Sequence, residues 1–228
     1  MHVGRSSDAS GRFPKGTLHD NVRLQHQLIT ERLGIERLRL VTGFSMGRLR
    51  PDRQLQQSVP PGIAARARAR PCVRRRLLPP PSGERAEGIC RDLRRLGHVR
   101  TVFREEVFGA LGSRSTAEHV ADFWEPFFLR CDANNLLSQL WTWEAGDISA
   151  NPTFGFDFEA ALSAIKARTI IVPIDNDRYF PPVDSKNEAK HIPGAKVSIV
   201  ASTWGHMALM NPVDIPAIDA PLNELLAG

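Results

Sequence analysis

The chain has 228 residues, 42% of them apolar, and a net charge of +5. That length allows one large domain or two small ones with a sizeable core. No run of about 18 apolar residues is present to span a membrane. The three cysteines, Cys72, Cys90 and Cys131, are too few and too unevenly spaced for a disulfide framework or a metal site, and fit a reducing cytoplasm.

Residues 1–16 are polar and rich in Gly and Ser, without periodicity, and read as loop. No apolar stretch follows the first residues, so no signal peptide is visible. A helix is expected from Asp20, which can cap it, with Val22, Leu24, Leu28, Ile29 and Leu33 on one face and Gly34 as the stop. Leu38-Arg39-Leu40-Val41 then reads as a short buried strand over 38–42. It leads into Gly43-Phe44-Ser45-Met46-Gly47, which fits G-x-S-x-G. A serine between glycines directly after a strand is the nucleophile elbow of an α/β-hydrolase. The turn is tight enough to strain the serine backbone, and only small residues fit beside it. In return the hydroxyl stands clear of the sheet, and the N–H of Met46 points at a developing oxyanion.

A helix should follow Gly47, yet residues 48–100 supply no convincing one. They hold fourteen arginines against four acids (Asp52, Glu84, Glu87 and Asp92) and no aromatic residue. This stretch alone therefore carries +10 and the rest of the chain −5. Seven prolines break any long element. Three readings compete: a disordered basic loop, an arginine-rich arm that neutralises phosphates, and an out-of-frame translation, since Arg, Pro and Ala codons are rich in G and C. The absence of stacking aromatics and of a known recognition motif argues against nucleic acid as a partner.

Order returns at Thr101. Val102, Phe103, Val107, Phe108 and Leu111 predict a helix ending near Gly112. Two more helices are expected over 116–130, where Pro126 can kink the chain, and over 132–143, capped by Asp132. The aromatic stripe Phe123, Trp124, Phe127, Phe128, Trp141 and Trp143 reads as core or lid packing. A helix over 158–165 leads into the β-branched run 169–173, a buried strand. Helix 182–191, strand 197–200 and a closing helix over 213–226 complete the alternation, which is that of a parallel α/β sheet.

A serine hydroxyl is a weak nucleophile near neutral pH and needs a base, which in turn needs an orienting carboxylate. In this fold the chain order is Ser, acid, His. Strand 169–173 is followed by Ile174-Asp175-Asn176-Asp177, and strand 197–200 by Ala201-Ser202-Thr203-Trp204-Gly205-His206. His206 thus stands one βα unit after a candidate acid. Spacing alone leaves Asp175 and Asp177 as equal candidates, and either could make an ordinary turn.

The segments Asp177-Arg178-Tyr179-Phe180-Pro181-Pro182, Trp204-Gly205-His206, Gly43-Phe44-Ser45-Met46-Gly47 and Arg130-Cys131-Asp132-Ala133-Asn134-Asn135 together resemble the homoserine O-acetyltransferase family of α/β-hydrolase proteins. The resemblance covers about 18–47 and 101–227 and skips 48–100. It implies a triad of Ser45, Asp177 and His206, with Met46 as oxyanion donor, and so prefers Asp177 to Asp175. It implies ping-pong acyl transfer, usually of acetyl, to a small hydroxy amino acid, a step of amino-acid biosynthesis. A serine esterase is the alternative within the same fold. No resident cofactor or metal is implied; acetyl-CoA enters only as an acyl-donor substrate. The expected partner is a small-molecule substrate, with no membrane, and a homodimer stays open as the assembly. The family has further strands before helix 20–33, so the expected architecture is an incomplete, N-terminally truncated α/β-hydrolase sheet. Its expected parts are a partial core with the elbow (1–47), the non-matching segment (48–100), a helical lid (101–150) and a C-terminal core with acid and base (151–228).

Overall fold

The computed structural model describes residues 17–45, 100–126, 139, 141–143 and 145–227. The expectations for 48–99, for most of helix 132–143 and for Met46 lie outside the described residues.

The C-terminal part is built on two parallel strands, β1 (Ile170–Ile171) and β2 (Lys196–Val197), with a further parallel bridge between Ile174 and Val200. The N–H groups of Lys196, Ser198 and Val200 donate to the carbonyls of Thr169, Ile171 and Pro173 at 3.0, 2.9 and 3.0 Å. The Asp175 N–H returns to the Val200 carbonyl at 2.9 Å. Pairing thus runs the whole length expected from the β-branched run. The interruption falls at Pro173, which has no N–H for the bond that this register calls for.

Both faces of the pair are covered, as parallel strands require. Helix α4 (Phe158–Ser163) begins at Asp157, whose carboxylate accepts the Ala160 N–H at 2.9 Å. Helix α5 (Pro182–Ala189) carries proline at its first position, where a missing N–H costs nothing. On that side Leu162, Ile171 and Ile192 pack with Phe158, Ile165 and Ala189. On the other side Ile174, Val200, Trp204 and Ala208 pack with Val172, Met207, Ile218 and Val107. There the cover comes from a 3-10 turn over Gly205–Met210 and the closing helix α6 (Ile215–Ala227). Alternation from β1 into the residue after it sends Ile171 to one layer and Val172 to the other.

Before this core lie two short helical segments. The helix expected as one piece up to Gly112 is two: α2 (Arg100–Arg104) and a 3-10 turn over Val107–Leu111. Glu106, at φ +49°, breaks the run, and Gly112, at φ +86°, ends it. Val102 and Phe108 are buried, and Val107 bridges them to the sheet cluster. Helix α3 (Thr116–His119) is capped by Ser115 and widens into a π-turn over Val120–Trp124, just before Pro126 removes a helical N–H. His119 is fully buried, with its ring stacked on Phe108 at 5.5 Å and Phe123 at 5.2 Å. Burial lowers its pKa below the usual imidazole value.

The N-terminal segment departs furthest from expectation. Helix α1 (Leu18–Gln27) starts two residues before Asp20 because Thr17 is the cap. Thr17 Oγ1 accepts the Asp20 N–H at 3.1 Å, and the Asp20 carboxylate accepts the Thr17 N–H at 2.9 Å, a reciprocal capping box. The helix runs into a π-turn over Leu28–Arg32 and stops at Gly34, at φ +63°. The apolar face read from the sequence is exposed at Val22, Leu24, Leu28 and Leu33. Residues 38–42 form no strand: Leu38 is 51% and Val41 77% exposed, and nothing among the described residues pairs with them. An apolar run becomes a strand only when a neighbour takes its N–H and C=O groups. The segment is tied instead by Arg39, whose Nη2 donates to the Leu226 carbonyl at the end of α6, 2.8 Å away.

Candidate active site

Ser45 stands at φ +55°, one of three non-glycine residues with positive φ among those described. This is the strained backbone expected of an elbow, and it costs of order 1–3 kcal/mol unless the surroundings hold it. Its Oγ lies 2.9 Å from His206 Nε2. His206 Nδ1 lies 2.9 Å from Asp177 Oδ2. With the imidazole proton on Nδ1, that nitrogen donates to the carboxylate and Nε2 accepts the serine hydroxyl. Three residues separated by up to 161 positions thus form one hydrogen-bonded relay.

Each member is held by its own local chemistry. The side chains of Asp177 and His206 are only 5% and 11% exposed. The other carboxylate oxygen of Asp177 accepts the N–H groups of Tyr179 and Phe180 at 2.7 and 3.1 Å. That closed turn aims Oδ2 at the imidazole. His206 follows Gly205, whose φ of +54° suits a residue without Cβ. Three rings wall the imidazole: Phe44 is stacked at 5.0 Å, Tyr179 edge-on at 4.7 Å and Phe180 tilted at 5.5 Å. Trp143 backs Tyr179 and Phe180 at 5.4 and 6.1 Å. Burial, with the Asp177 charge beside it, raises the Tyr179 phenol well above its usual pKa.

The geometry separates the two aspartates that spacing left equal. Asp175 is turned away along the sheet ends, where its Oδ1 accepts the Ser202 N–H at 3.0 Å. The ring wall was not foreseen in the sequence, although Trp143 belongs to the stripe read as packing. The Asp177 turn joins two of its rings to the acid itself. Met46 lies outside the described residues, and so does the segment 130–135. No described helix is long and apolar enough to cross a membrane.

No family model matches the chain. A probable esterase of Corynebacterium glutamicum is 32% identical over 96% of this chain and 70% of its own length. The chain belongs to the α/β-hydrolase superfamily. The solved structure of an acetylester hydrolase from Corynebacterium glutamicum superposes on this α/β-hydrolase with a TM-score of 0.82 at 27% identity, over 99% of this chain and 72% of that one. A homoserine O-acetyltransferase of Nostoc punctiforme is 28% identical over 94% of this chain and 66% of its own length. The superfamily thus brings in esterases as well as the transferases that the motifs resemble, and the stronger likeness is to esterases. The alignment with the Corynebacterium relative extends over 96% of the chain, a wider span than the motif segments cover. The chain spans about two thirds to three quarters of these relatives' lengths.

Proposed function

We propose that this α/β-hydrolase is a serine esterase acting on small acyl esters, acetyl esters foremost. The observation that carries the reading is the relay, with 2.9 Å on either side of one imidazole. In it Ser45 Oγ attacks the ester carbonyl while His206 Nε2 takes its proton. Asp177 holds the tautomer and the imidazolium that forms. The Met46 N–H is assigned to the oxyanion by the elbow pattern. Collapse expels the alcohol, protonated by His206, and leaves an acyl group on Ser45. His206 then activates water, and the carboxylic acid departs. The esterase relatives support water as acceptor, and the rings of Phe44 and Tyr179 crowding the imidazole favour a short acyl chain.

A second reading keeps the same acyl-enzyme and changes its partners: acetyl-CoA donates, and the hydroxyl of a small amino acid such as homoserine accepts. The motif resemblance and the Nostoc relative favour it. The two are separated by giving the purified chain p-nitrophenyl acetate alone, and acetyl-CoA with homoserine. The expected result is ester cleavage abolished by Ser45→Ala, with no release of CoA. Homoserine-dependent CoA release outpacing ester cleavage would replace the first reading by the second.

A further inference from the structure

Four residues before His206 stands a serine whose every polar group is engaged. The Ser202 N–H donates to Asp175 Oδ1 at 3.0 Å, and its carbonyl accepts Asn176 Nδ2 at 3.1 Å. Its hydroxyl donates to Asp214 Oδ2 at 2.5 Å and accepts the Trp204 N–H at 3.0 Å. Ser202 and Asp214 are 6% and 9% exposed. Asp214 Oδ2 also accepts Asn211 Nδ2 at 2.9 Å, and the Asp214 carbonyl receives the N–H groups of Ala217 and Ile218 in the first turn of α6. One residue therefore joins three parts: its backbone N–H and C=O tie it to the loop that ends in Asp177, and its hydroxyl ties the loop that ends in His206 to the start of the closing helix.

We propose that Ser202 is the positioning residue that sets the Asp177–His206 separation, with Asp214 as its anchor. It touches no reacting atom. It fixes the origin of both loops, so the carboxylate and the imidazole meet at hydrogen-bond distance before substrate arrives. Displacement of a catalytic group by about 1 Å costs on the order of a hundredfold in rate, so a loosened hub acts on turnover before it acts on binding.

The proposal rests on the esterase reading only for its kinetic readout. A spectroscopic readout is independent of it: the downfield Nδ1 proton of a histidine bonded to a carboxylate, followed by proton NMR in the free protein. In Ser202→Ala that resonance is expected to broaden or vanish. Cleavage of p-nitrophenyl acetate should lose roughly tenfold to a hundredfold in kcat, with KM changed less than about twofold. Ser202→Ala also leaves the buried Asp214 carboxylate short of a donor, which lowers Tm. The double variant Ser202→Ala/Asp214→Asn removes the charge as well and should recover Tm but not kcat, because replacing both partners relieves the unpaired group without restoring the tie. Asn176→Ala, at the exposed end of the hub, tests the same link with little risk to folding and should lower kcat several-fold at unchanged Tm. Recovery of kcat together with Tm in the double variant would reduce Ser202 to a structural role. So would a wild-type resonance and wild-type kcat in Ser202→Ala, or in Asn176→Ala if the first variant fails to fold. A wild-type protein that shows the resonance and cleaves no ester would sink the esterase reading and leave the positioning role standing.

Discussion

Asp177 and His206 stand in a region unlike the one that presents Ser45. Residues 169–214 carry a paired backbone, two buried apolar clusters and a hub of side-chain hydrogen bonds. Residues 35–44 carry exposed apolar side chains. Among the described residues, the side-chain ties that join this stretch and Ser45 to the C-terminal part include the Arg39 bond to α6, the Phe44 ring on His206 and the Ser45 hydroxyl. The difference teaches that the two halves of one hydrogen-bonded relay can be held by different means. The Asp177–His206 pair is held by hydrogen bonds and packing on both sides, whereas among the described residues the Ser45 side chain is tied by its hydroxyl to His206.

The largest expected effect breaks the chemistry and spares both regions. Ser45→Ala should lower kcat for ester cleavage by about 10⁴-fold or more, with an unchanged Tm by differential scanning fluorimetry, since only one hydrogen bond is lost. Next comes a break in the anchored region alone. Trp204 is 4% exposed in the sheet cluster, and Trp204→Ala should cost about 3–5 kcal/mol, read by urea denaturation.

The single tyrosine of the chain gives a third test, because its absorbance reports one site. Tyr179 has its phenol pKa raised by burial and then by the Asp177 charge. Its folded value lies above its unfolded one, so the native state holds the proton more tightly. The resulting stability is complete below the ordinary tyrosine pKa of 10.0 and is lost as pH rises beyond it. Tyrosinate absorbance should thus be missing from the native protein near pH 10 and present in urea. The smallest effect sharpens the contrast from the other side. Val41 is 77% exposed, and Val41→Ser should shift stability by no more than about 0.5 kcal/mol, where a buried strand residue would lose several times that.

What the sequence disclosed follows the same divide. The β-branched run at 169–173 and the later strand were legible because burial on both faces writes itself into composition. His206 was legible because it stands one βα unit after a candidate acid. Asp175 and Asp177 could not be ranked by spacing, since they differ in which way each carboxylate turns: Asp175 accepts the N–H of Ser202 twenty-seven positions later, and Asp177 the N–H groups of Tyr179 and Phe180. The hub itself leaves no sequence signature: a serine bonded through its backbone looks like any loop serine. At 38–42 the reading failed for the opposite reason. Apolarity records what a segment could bury, and pairing needs a neighbour that the local sequence does not contain. Thr17 and Asp20 could each have capped α1, and the capping box uses both.

The bond between Ser45 Oγ and His206 Nε2 spans 161 residues, so it acts as a latch as well as a proton path. Once Ser45 carries an acyl group, its oxygen has no proton left to give, and the latch is open for the lifetime of the intermediate. On the proposed mechanism this tie is therefore given up on acylation and regained on deacylation, while the Arg39 bond and the Phe44 stacking remain. A slow-turning carbamate or phosphonate that keeps Ser45 capped should remove this one tie for longer, and the backbone amides around Ser45 are expected to exchange faster than in the free protein.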